Sequence, residues 1–233
     1  QNLGVAVRPG PQALRFAQDK IEMRNALAAA GIACPKWKEI TAESDLTEFG
    51  DVAGWPLVLK TARGGYDGKG VQIIKDEAAL KNSFQAPSII EACIPFSKEL
   101  SVIVARNEQG QTKCFPLVEC EFNPEANLVE FLFSPAAVST DIENKAQQIA
   151  IDIIEKLDMI GLLAVEFFLT TDNTLLVNEI APRPHNSGHH TIEVCQSSQF
   201  EQHLRAILNL PLGSTELIQA GAMLNLIGEK GHE

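Results

Sequence analysis

The chain has 233 residues, 45% hydrophobic and 21% charged, which predicts a folded protein with a substantial core rather than a disordered one. Its 19 basic and 30 acidic residues give a net charge of −11, which argues against a general surface for nucleic acid or anionic membranes. The five cysteines lack C-x-x-C spacing and no apolar run could span a membrane, so we expect no disulfide framework or structural zinc and a cytoplasmic location.

The N-terminal part of the chain predicts a helical segment over residues 12–30, in one piece or two. Asp19, followed three residues later by Glu22, is a capping-box pattern that marks the start of a helix. Ile21 and Leu27 are expected to form its apolar stripe. A second, shorter helix is expected over residues 44–52.

Residues 57–59 and 71–74 predict two strands joined by a loop that is rich in glycine. The loop contains Gly64, Gly65, Gly68 and Gly70. A P-loop or a dinucleotide-binding loop would open a helix, and none is predicted here. Two readings remain about equally supported: a flap whose backbone amides cover phosphate groups, or an ordinary hairpin turn.

The middle of the chain alternates between strands and helices. A helix is expected over residues 76–83, and strands are expected over 88–94, 100–105, 112–121 and 128–133. The clearest helix of the sequence runs from Thr140 to Leu157, with Thr140 and Glu143 as its capping pair. Helices interspersed with antiparallel strands predict the α+β class.

Two apolar strands, residues 162–169 and 174–180, follow as a predicted hairpin. Each carries a glutamate, and an even-length TTDN loop would place Glu166 on the face of Val177 and Glu179. Two close carboxylates favour a divalent cation between them, and Asn178 adds an amide oxygen of the kind that magnesium accepts. The alternative is that one carboxylate lies on a solvated face and the other caps a loop.

The segment APRPHNSGHH, residues 181–190, is the third feature. Arg183 could hold an anion, and Gly188 is expected to permit a tight bend. His185 and His189 have a spacing that zinc could use, but no further zinc motif accompanies them. The density of donors favours a binding site over a surface loop.

These motifs together resemble the ATP-grasp family. A strand lysine, the GGYDGKG loop, a later strand glutamate and NEIAPRPHNSGH are most similar to the branch that carboxylates 5-aminoimidazole ribonucleotide with bicarbonate in purine biosynthesis. The similarity extends over nearly the whole chain. It implies an ATP-grasp fold, in which two α+β subdomains hold ATP between antiparallel sheets.

The resemblance also implies which residues contact the nucleotide. Lys20 and Lys60 correspond to phosphate-binding residues, Lys60 with a catalytic role, and Glu99 to the residue that holds the ribose hydroxyls. The adenine-lining positions are Glu91, Ala92, Cys93 and Ile94. The flap positions are Gly65, Tyr66, Asp67, Gly68, Lys69, Gly70 and Val71. The magnesium site, with two ions, corresponds to Glu166 and Glu179 together with Asn178.

The second substrate is implied in the same way. Tyr66 and Asp67 would meet 5-aminoimidazole ribonucleotide, and Asn186 would help to bind it. Arg183 and His185 correspond to the place where bicarbonate reacts. The implied enzyme is an ATP-dependent ligase that forms carboxyphosphate and is a homodimer. The alternatives are another ATP-grasp ligase, such as a transformylase that uses formyl phosphate, or a nucleotide-binding module without catalysis.

Two departures from the family pattern are visible. Many members carry Asn-x-His after the glutamate at Glu119, where this chain has Cys120 and Phe122, so a nucleotide contact from that histidine is lost or replaced. The resemblance also implies a division of the chain, which looks like the ATP-binding part of a longer enzyme. Residues 1–17 would be a linker, 18–210 the ATP-grasp domain with a smaller flap-bearing subdomain at 34–94, and 211–233 the start of a C-terminal segment.

Overall fold

The computed structural model describes residues 4–65, 70–83, 86–123 and 128–226. The described helices are α1 (Pro11–Gln18), α2 (Lys20–Ala29), α3 (Ser44–Ala53), α4 (Thr140–Lys156), α5 (Thr191–Val194) and α6 (Gln199–Ile207). The described strands are β1 (Trp37–Ile40), β2 (Leu57–Thr61), β3 (Val71–Ile74), β4 (Ser88–Ala92), β5 (Phe96–Arg106), β6 (Thr112–Cys114), β7 (Val118–Asn123), β8 (Leu128–Ser134), β9 (Gly161–Thr170), β10 (Leu175–Ala181) and β11 (Gly221–Leu224). Helices packed on antiparallel sheets confirm the predicted α+β class.

The smaller sheet has the order β1-β4-β2-β3, and all of its strand pairs are antiparallel. Its core consists of buried aliphatic side chains from the strands and from α3: Leu46, Leu57, Leu59, Ile74 and Ile90. The register of β2 and β3 pairs Lys60 with Val71. The glycine-rich loop begins after Thr61, the residue that follows Lys60 and ends β2.

The larger sheet has the order β10-β9-β5-β7-β8-β11, with β6 paired to β5. Alternate residues of β5 and β9, such as Leu100 and Phe167, pack beneath α4 in the main core. The opposite face carries polar side chains at Glu99, Ser101 and Glu166, and the register pairs the last two directly. The second core, which includes Ile103 and Ala164, covers part of the side away from α4, so the polar part around Glu99, Ser101 and Glu166 is the region available for chemistry.

The N-terminal helical segment is divided in two, as one of the two readings predicted. Asp19 ends α1 and caps α2, because its side chain accepts hydrogen bonds from the amides of Ile21 and Glu22. The predicted cap of α4 is wrong by one residue: Ser139 accepts from the Ile142 amide, and Thr140 is already helical. The helix expected over residues 76–83 is present as a 3-10 helix, Glu77–Asn82.

The expected strand over residues 112–121 is interrupted. Phe115 and Leu117 would share one face of a regular strand, but they belong to different cores on opposite sides of the sheet. Pro116 between them lacks an amide hydrogen and cannot donate to a neighbouring strand. The segment therefore divides into β6 and β7.

Among the helices described, none combines the length and apolar character that crossing a membrane requires.

Candidate functional site

Lys60, the predicted phosphate-binding lysine, lies near the end of β2 where the two sheets meet. Its Nζ is 2.8 Å from Glu91 Oε2 on β4 and donates a 3.0 Å hydrogen bond to Asn178 Oδ1 on β10. Only 11% of the side chain is exposed. The ammonium group is therefore held between a carboxylate of the small sheet and an amide of the large one.

A buried arginine that the sequence reasoning missed completes this junction. Arg24 on α2 is fully buried, and its Nε donates to Glu91 Oε1 at 2.6 Å. Its terminal nitrogens donate to the carbonyl oxygens of Val177 and Asn178 at 3.1 and 2.8 Å. Burial raises the pKa of Glu91, but Lys60 and Arg24 outweigh burial and hold this pKa below its usual value.

The sequence did contain a signal for Arg24. It adjoins Met23 and precedes Leu27 by about one turn, and both of these side chains are buried. A single arginine on such a face needs a buried acidic partner. Glu91, within the otherwise apolar run of β4, is that partner. Glu91 was predicted only as a backbone contact to adenine, and its side chain has this separate structural role.

Strands β9 and β10 bring Glu166 and Glu179 directly opposite each other. The expected even-length loop, with Val177 on the face of Glu166, is wrong. Val177 pairs with Phe167, and both are buried in the main core on the other face. A bulge between Val177 and Glu179 adds Asn178 as an extra residue, which moves Glu179 onto the face of Glu166.

The electrostatics of Glu166 are those of a crowded carboxylate. Burial, and then the neighbouring charges of Glu179 and Glu99, raise its pKa to about 8, although Lys60 and Arg183 act in the opposite direction. The carboxyl group is not sealed off, since 25% of its side chain is exposed. A cation at this place would offset the repulsion between the two facing carboxylates.

Lys20 and Glu99 border the same region. The Nζ of Lys20 lies 3.8 Å from Glu179 Oε1, and only 14% of its side chain is exposed. Glu99 stands on β5 two residues before Ser101, on the face that also carries Glu166. Burial raises the pKa of Glu99 to about 7, with Lys60 acting to lower it. Two cationic and three acidic side chains thus converge on one face of the large sheet.

The segment after β10 adds a hydrogen-bonded chain. His185 Nε2 is 3.6 Å from Glu166 Oε1, and its Nδ1 is 2.9 Å from Ser187 Oγ. Ser187 Oγ is in turn 2.8 Å from Ser101 Oγ on β5, and both serines are buried. Burial, followed by the charges of Arg183 and His189, lowers the pKa of His185 to about 4. Ser101 is a site residue that the sequence reasoning missed.

Gln199, also missed, fixes the backbone of this segment. Its Oε1 accepts from the His185 amide at 2.9 Å, and its Nε2 donates to the His185 carbonyl at 2.7 Å. Gly188 packs against the same side chain: a Cβ there would lie 2.2 Å from Ile103 Cδ1 and 2.5 Å from Gln199 Oε1. Gly188 ends the 3-10 turn Asn186–Gly188, so the chain does bend tightly at this residue. The glycine is required by close packing.

The remaining predicted residues of this segment point in different directions. Arg183 is exposed, and its guanidinium donates to the Pro184 carbonyl at 3.1 Å. His189 stacks on Phe200 with ring centroids 5.7 Å apart and does not join His185. Across the described ranges, no cluster of three or more His, Cys, Asp or Glu side chains could hold a metal by itself. The zinc alternative for the two histidines therefore has no support.

Asn186, a predicted substrate contact, is paired with a residue that the sequence reasoning did not consider. The side-chain amides of Asn186 and Asn225 donate to each other at 3.2 Å in both directions. Asn225 also donates to the Val129 carbonyl at 2.7 Å, and its backbone amide donates to Glu130 at 3.0 Å. The residue after β11 thus joins the site segment to β8.

The predicted adenine-lining residues lie where β4 leads into β5. The Ala92 amide donates to Lys36 at 2.9 Å and the Cys93 amide to Pro56 at 3.4 Å. The Ile94 amide has no acceptor within the part of the chain that the structure describes. Among the described contacts of these three amides, only that of Ile94 leaves the hydrogen-bond donor open to a ligand.

The flap is described only at its two ends. Tyr66, Asp67, Gly68 and Lys69 lie outside the described residues. Gly64 and Gly70 have positive φ angles of 74° and 76°, and the Thr61 amide donates to Gly70 at 2.8 Å. A cavity of about 490 Å³ opens beside this root. Its lining comprises Arg15, Ala17, Gln18, Asp19, Lys20, Arg63, Gly64 and Gly65.

Phe122 stands where the family pattern has histidine. It packs on a small apolar cluster formed by Val118, Cys120 and Leu132. Burial first, and then Glu166, Glu99 and Glu119, raise the pKa of Cys120 well above its usual value. Both departures from the family pattern therefore contribute apolar packing.

Comparisons with known proteins identify the family of the chain. A sequence model of the ATP-grasp domain matches residues 25–200. The chain is 41% identical over 226 residues to the N5-carboxyaminoimidazole ribonucleotide synthase of Bacillus subtilis, covering 95% of this chain and 59% of the relative. It spans about three fifths of the length of the curated relatives that it matches.

Solved structures give the same result. The N5-carboxyaminoimidazole ribonucleotide synthetase of Thermotoga maritima superposes with a TM-score of 0.88 at 43% identity, over 99% of this chain and 60% of that one. The synthase of Aspergillus clavatus, solved with ADP and 5-aminoimidazole ribonucleotide, gives 0.89 at 33% identity, over 98% and 62%. With the family match covering most of the sequence, the chain belongs to the ATP-grasp family.

Proposed function

We propose that the protein containing this chain carboxylates 5-aminoimidazole ribonucleotide with bicarbonate in an ATP-dependent reaction of purine biosynthesis. The products are 5-carboxyaminoimidazole ribonucleotide, ADP and phosphate. The observation that carries the proposal is the convergence of Lys20, Lys60, Glu166 and Glu179 on one face of the large sheet, beside the flap root. The similarity to synthases of this reaction supports the choice of acceptor.

ATP fits the site by the chemistry of its parts. Lys20 and Lys60 supply positive charge for the phosphates, and the flap would cover them from Gly65 to Val71. The unpaired Ile94 amide suits an acceptor nitrogen of adenine. Glu99, on the adjoining strand, can accept hydrogen bonds from ribose hydroxyls.

The carboxylates of Glu166 and Glu179, with the amide oxygen of Asn178 nearby, form an oxygen donor set that fits Mg²⁺. Burial, and then the charges of Glu179 and Glu99, raise the pKa of Glu166, and a bound cation would favour its ionised form. Two magnesium ions shared with the phosphates would neutralise the charge of the phosphoryl group during its transfer.

The chemistry requires that bicarbonate become an electrophile. A bicarbonate oxygen attacks the γ-phosphorus of ATP, the bond to the β-phosphate oxygen breaks, and carboxyphosphate and ADP result. The exocyclic amine of the ribonucleotide then forms a bond to the carboxyl carbon, phosphate leaves, and the amine loses a proton. Arg183 can hold the anionic bicarbonate. Two groups can take the proton: His185, near Glu166, or the departing phosphate.

The complete enzyme is proposed to be a cytoplasmic homodimer. Tyr66 and Asp67 of the flap, and Asn186, are proposed to contact the ribonucleotide, whose remaining contacts come from the rest of the enzyme.

Steady-state release of ADP by the full-length protein tests this function. With bicarbonate present, added 5-aminoimidazole ribonucleotide should stimulate ADP release and yield the carboxylated product. Stimulation by formate and a different ribonucleotide would instead indicate a transformylase. ATP binding without any turnover would indicate a nucleotide-binding module.

A further inference from the structure

The carboxylate of Asp19 joins two parts of the molecule, the start of α2 and the root of the flap. Its Oδ1 accepts from the amides of Ile21 and Glu22 at 3.0 and 3.3 Å, which starts α2. Its Oδ2 accepts from Arg63 Nε at 2.8 Å, at the residue before Gly64. Asp19 itself is only 8% exposed, so this contact is shielded on the Asp19 side. One side chain thus ties the start of a helix to the root of the flap.

A backbone contact strengthens the same junction. The amide of Lys20, the next residue, donates to the Ala62 carbonyl at 2.9 Å. The side chain of Lys20 leads away to Glu179 Oε1, 3.8 Å from its Nζ. The position of Lys20 relative to the flap therefore depends on the contacts between residues 19–20 and residues 62–63.

The electrostatics of the pair are favourable. Burial raises the pKa of Asp19, but the hydrogen bonds from Arg63, Glu22 and Ile21 outweigh it and lower this pKa below its usual value. Arg63 is largely exposed, with 76% of its side chain accessible, so its contribution to stability is small. Its effect should be on geometry, because it fixes the point from which the flap departs.

We propose that Asp19 and Arg63 are a positioning pair, which holds Lys20 and the flap root at the separation that a nucleoside triphosphate needs. Asp19 and Arg63 both line the cavity beside the flap root, together with Lys20, Gly64 and Gly65. This inference rests on the proposed function for its ligand, ATP. Neither residue is required to touch the reacting atoms.

The test compares Asp19→Asn, Arg63→Gln and the double variant of the full-length protein. Asn keeps an oxygen for the helix amides but removes the charge that faces Arg63. Each single variant should weaken Mg-ATP binding about tenfold, and the double variant no more than either one, because both remove the same contact. Arg63→Lys should restore part of the affinity. The measurement is Mg-ATP affinity by calorimetry, with the melting temperature recorded alongside.

Asp45 provides a matched control. It is also 8% exposed, accepts from the Thr41 and Ala42 amides at 2.8 Å and pairs with Lys38 at 2.6 Å, all within the small subdomain. Asp45→Asn should lower the melting temperature at least as much as Asp19→Asn and leave the affinity within about twofold. Equal loss of affinity in Asp45→Asn, or additive losses in the double variant, would overturn the positioning role.

A second readout needs no nucleotide. Amide hydrogen exchange across residues 61–65 and 70–71 should be faster in Asp19→Asn and Arg63→Gln than in the unaltered protein, and unchanged in Asp45→Asn. Unchanged exchange in both site variants contradicts the inference. If the unaltered protein fails to bind Mg-ATP, the proposed function falls, and the exchange result still decides whether the pair positions the flap root.

Discussion

Lys60 and Glu91 face each other diagonally across β2 and β4, with Lys60 Nζ 2.8 Å from Glu91 Oε2 and only 2% of the Glu91 side chain exposed. The second oxygen of Glu91 is bound by Arg24, which also holds the backbone of β10. A single carboxylate thus joins the small sheet, the large sheet and α2. The lysine that would contact phosphate is fixed by the same group that joins the two sheets.

Replacing Glu91 should therefore destabilise the whole protein. Glu91→Gln leaves two cations, Lys60 and Arg24, without their buried counter-charge, and should lower the free energy of unfolding by about 3 kcal/mol. Urea unfolding followed by circular dichroism measures this change. Glu48→Gln is the control, because Glu48 pairs with Lys38 at 3.2 Å on the surface and should change the same quantity by less than about 0.5 kcal/mol. Equal effects would refute the structural role of Glu91.

The Glu91 carboxylate should also make the stability of the protein depend on pH. Its pKa in the folded protein lies below the ordinary value of 4.5, so its contribution to stability is fully present above that pH. The contribution is lost as the pH falls below 4.5 through the lower pKa of the folded state. Urea midpoints measured from about pH 7 to about pH 3 should fall more steeply in the unaltered protein than in Glu91→Gln. If the urea midpoints of the two proteins fell in parallel with pH, Glu91 would not be the group that causes the loss of stability in acid.

Glu179→Gln separates metal binding from folding. It removes one of two carboxylates that face each other, so magnesium-dependent ATP turnover should be abolished while the protein stays folded. Without magnesium, the free energy of unfolding should change little, because the relief of the repulsion with Glu166 offsets the lost attraction to Lys20. A coupled assay of ADP release measures the turnover, and urea unfolding measures the free energy of unfolding. Unchanged turnover would remove Glu179 from the metal site.

Gly188→Ala tests the packing beneath the site segment. The added methyl group would collide with Ile103 and Gln199, so the free energy of unfolding should fall by about 2 kcal/mol. Gly10→Ala is the matched control, because a Cβ there would meet only the Val7 carbonyl, at 4.0 Å. A Gly188 variant as stable as the Gly10 variant would show that the segment shifts freely.

Asn225→Ala tests the pairing at the other end of that segment. Asn186 would lose both of its hydrogen bonds to the Asn225 side chain, so kcat should fall while Mg-ATP affinity is retained. The free energy of unfolding should fall by about 1 kcal/mol, because the Val129 carbonyl also loses its donor. Asn186→Ala and the double variant complete a thermodynamic cycle. Additive losses of stability would mean that the two amides do not interact.

The sequence predicted most of the helices and strands, because the spacing of apolar residues and the helix cap at Asp19 each depend on only a few neighbouring positions. It failed where distant contacts decide. The break between β6 and β7 depends on two cores, and the bulge at Asn178 depends on the Arg24 guanidinium and Lys60 that bind this residue. Pro116 was a local signal for the break, because proline is disfavoured inside a strand, whereas no spacing rule could anticipate the bulge.

The residues of the site also fall into those that the sequence predicted and those that it did not. Glu166 and Glu179 could be paired from strand alternation, although the correct pairing needs the bulge. Four site residues were missed because each acts through a side-chain or backbone partner on another element of the fold: Arg24, Ser101, Gln199 and Asn225. The roles of Tyr66 and Asp67 stay predictions from resemblance.

Transfer of oxygen from bicarbonate to phosphate tests the central claim most directly. The full-length protein would be given ATP, 5-aminoimidazole ribonucleotide and bicarbonate labelled with heavy oxygen, and the phosphate released would be analysed by mass spectrometry. If carboxyphosphate forms, one labelled oxygen from bicarbonate appears in each phosphate, in step with the carboxylated ribonucleotide. Unlabelled phosphate released at the same rate as product would contradict the account.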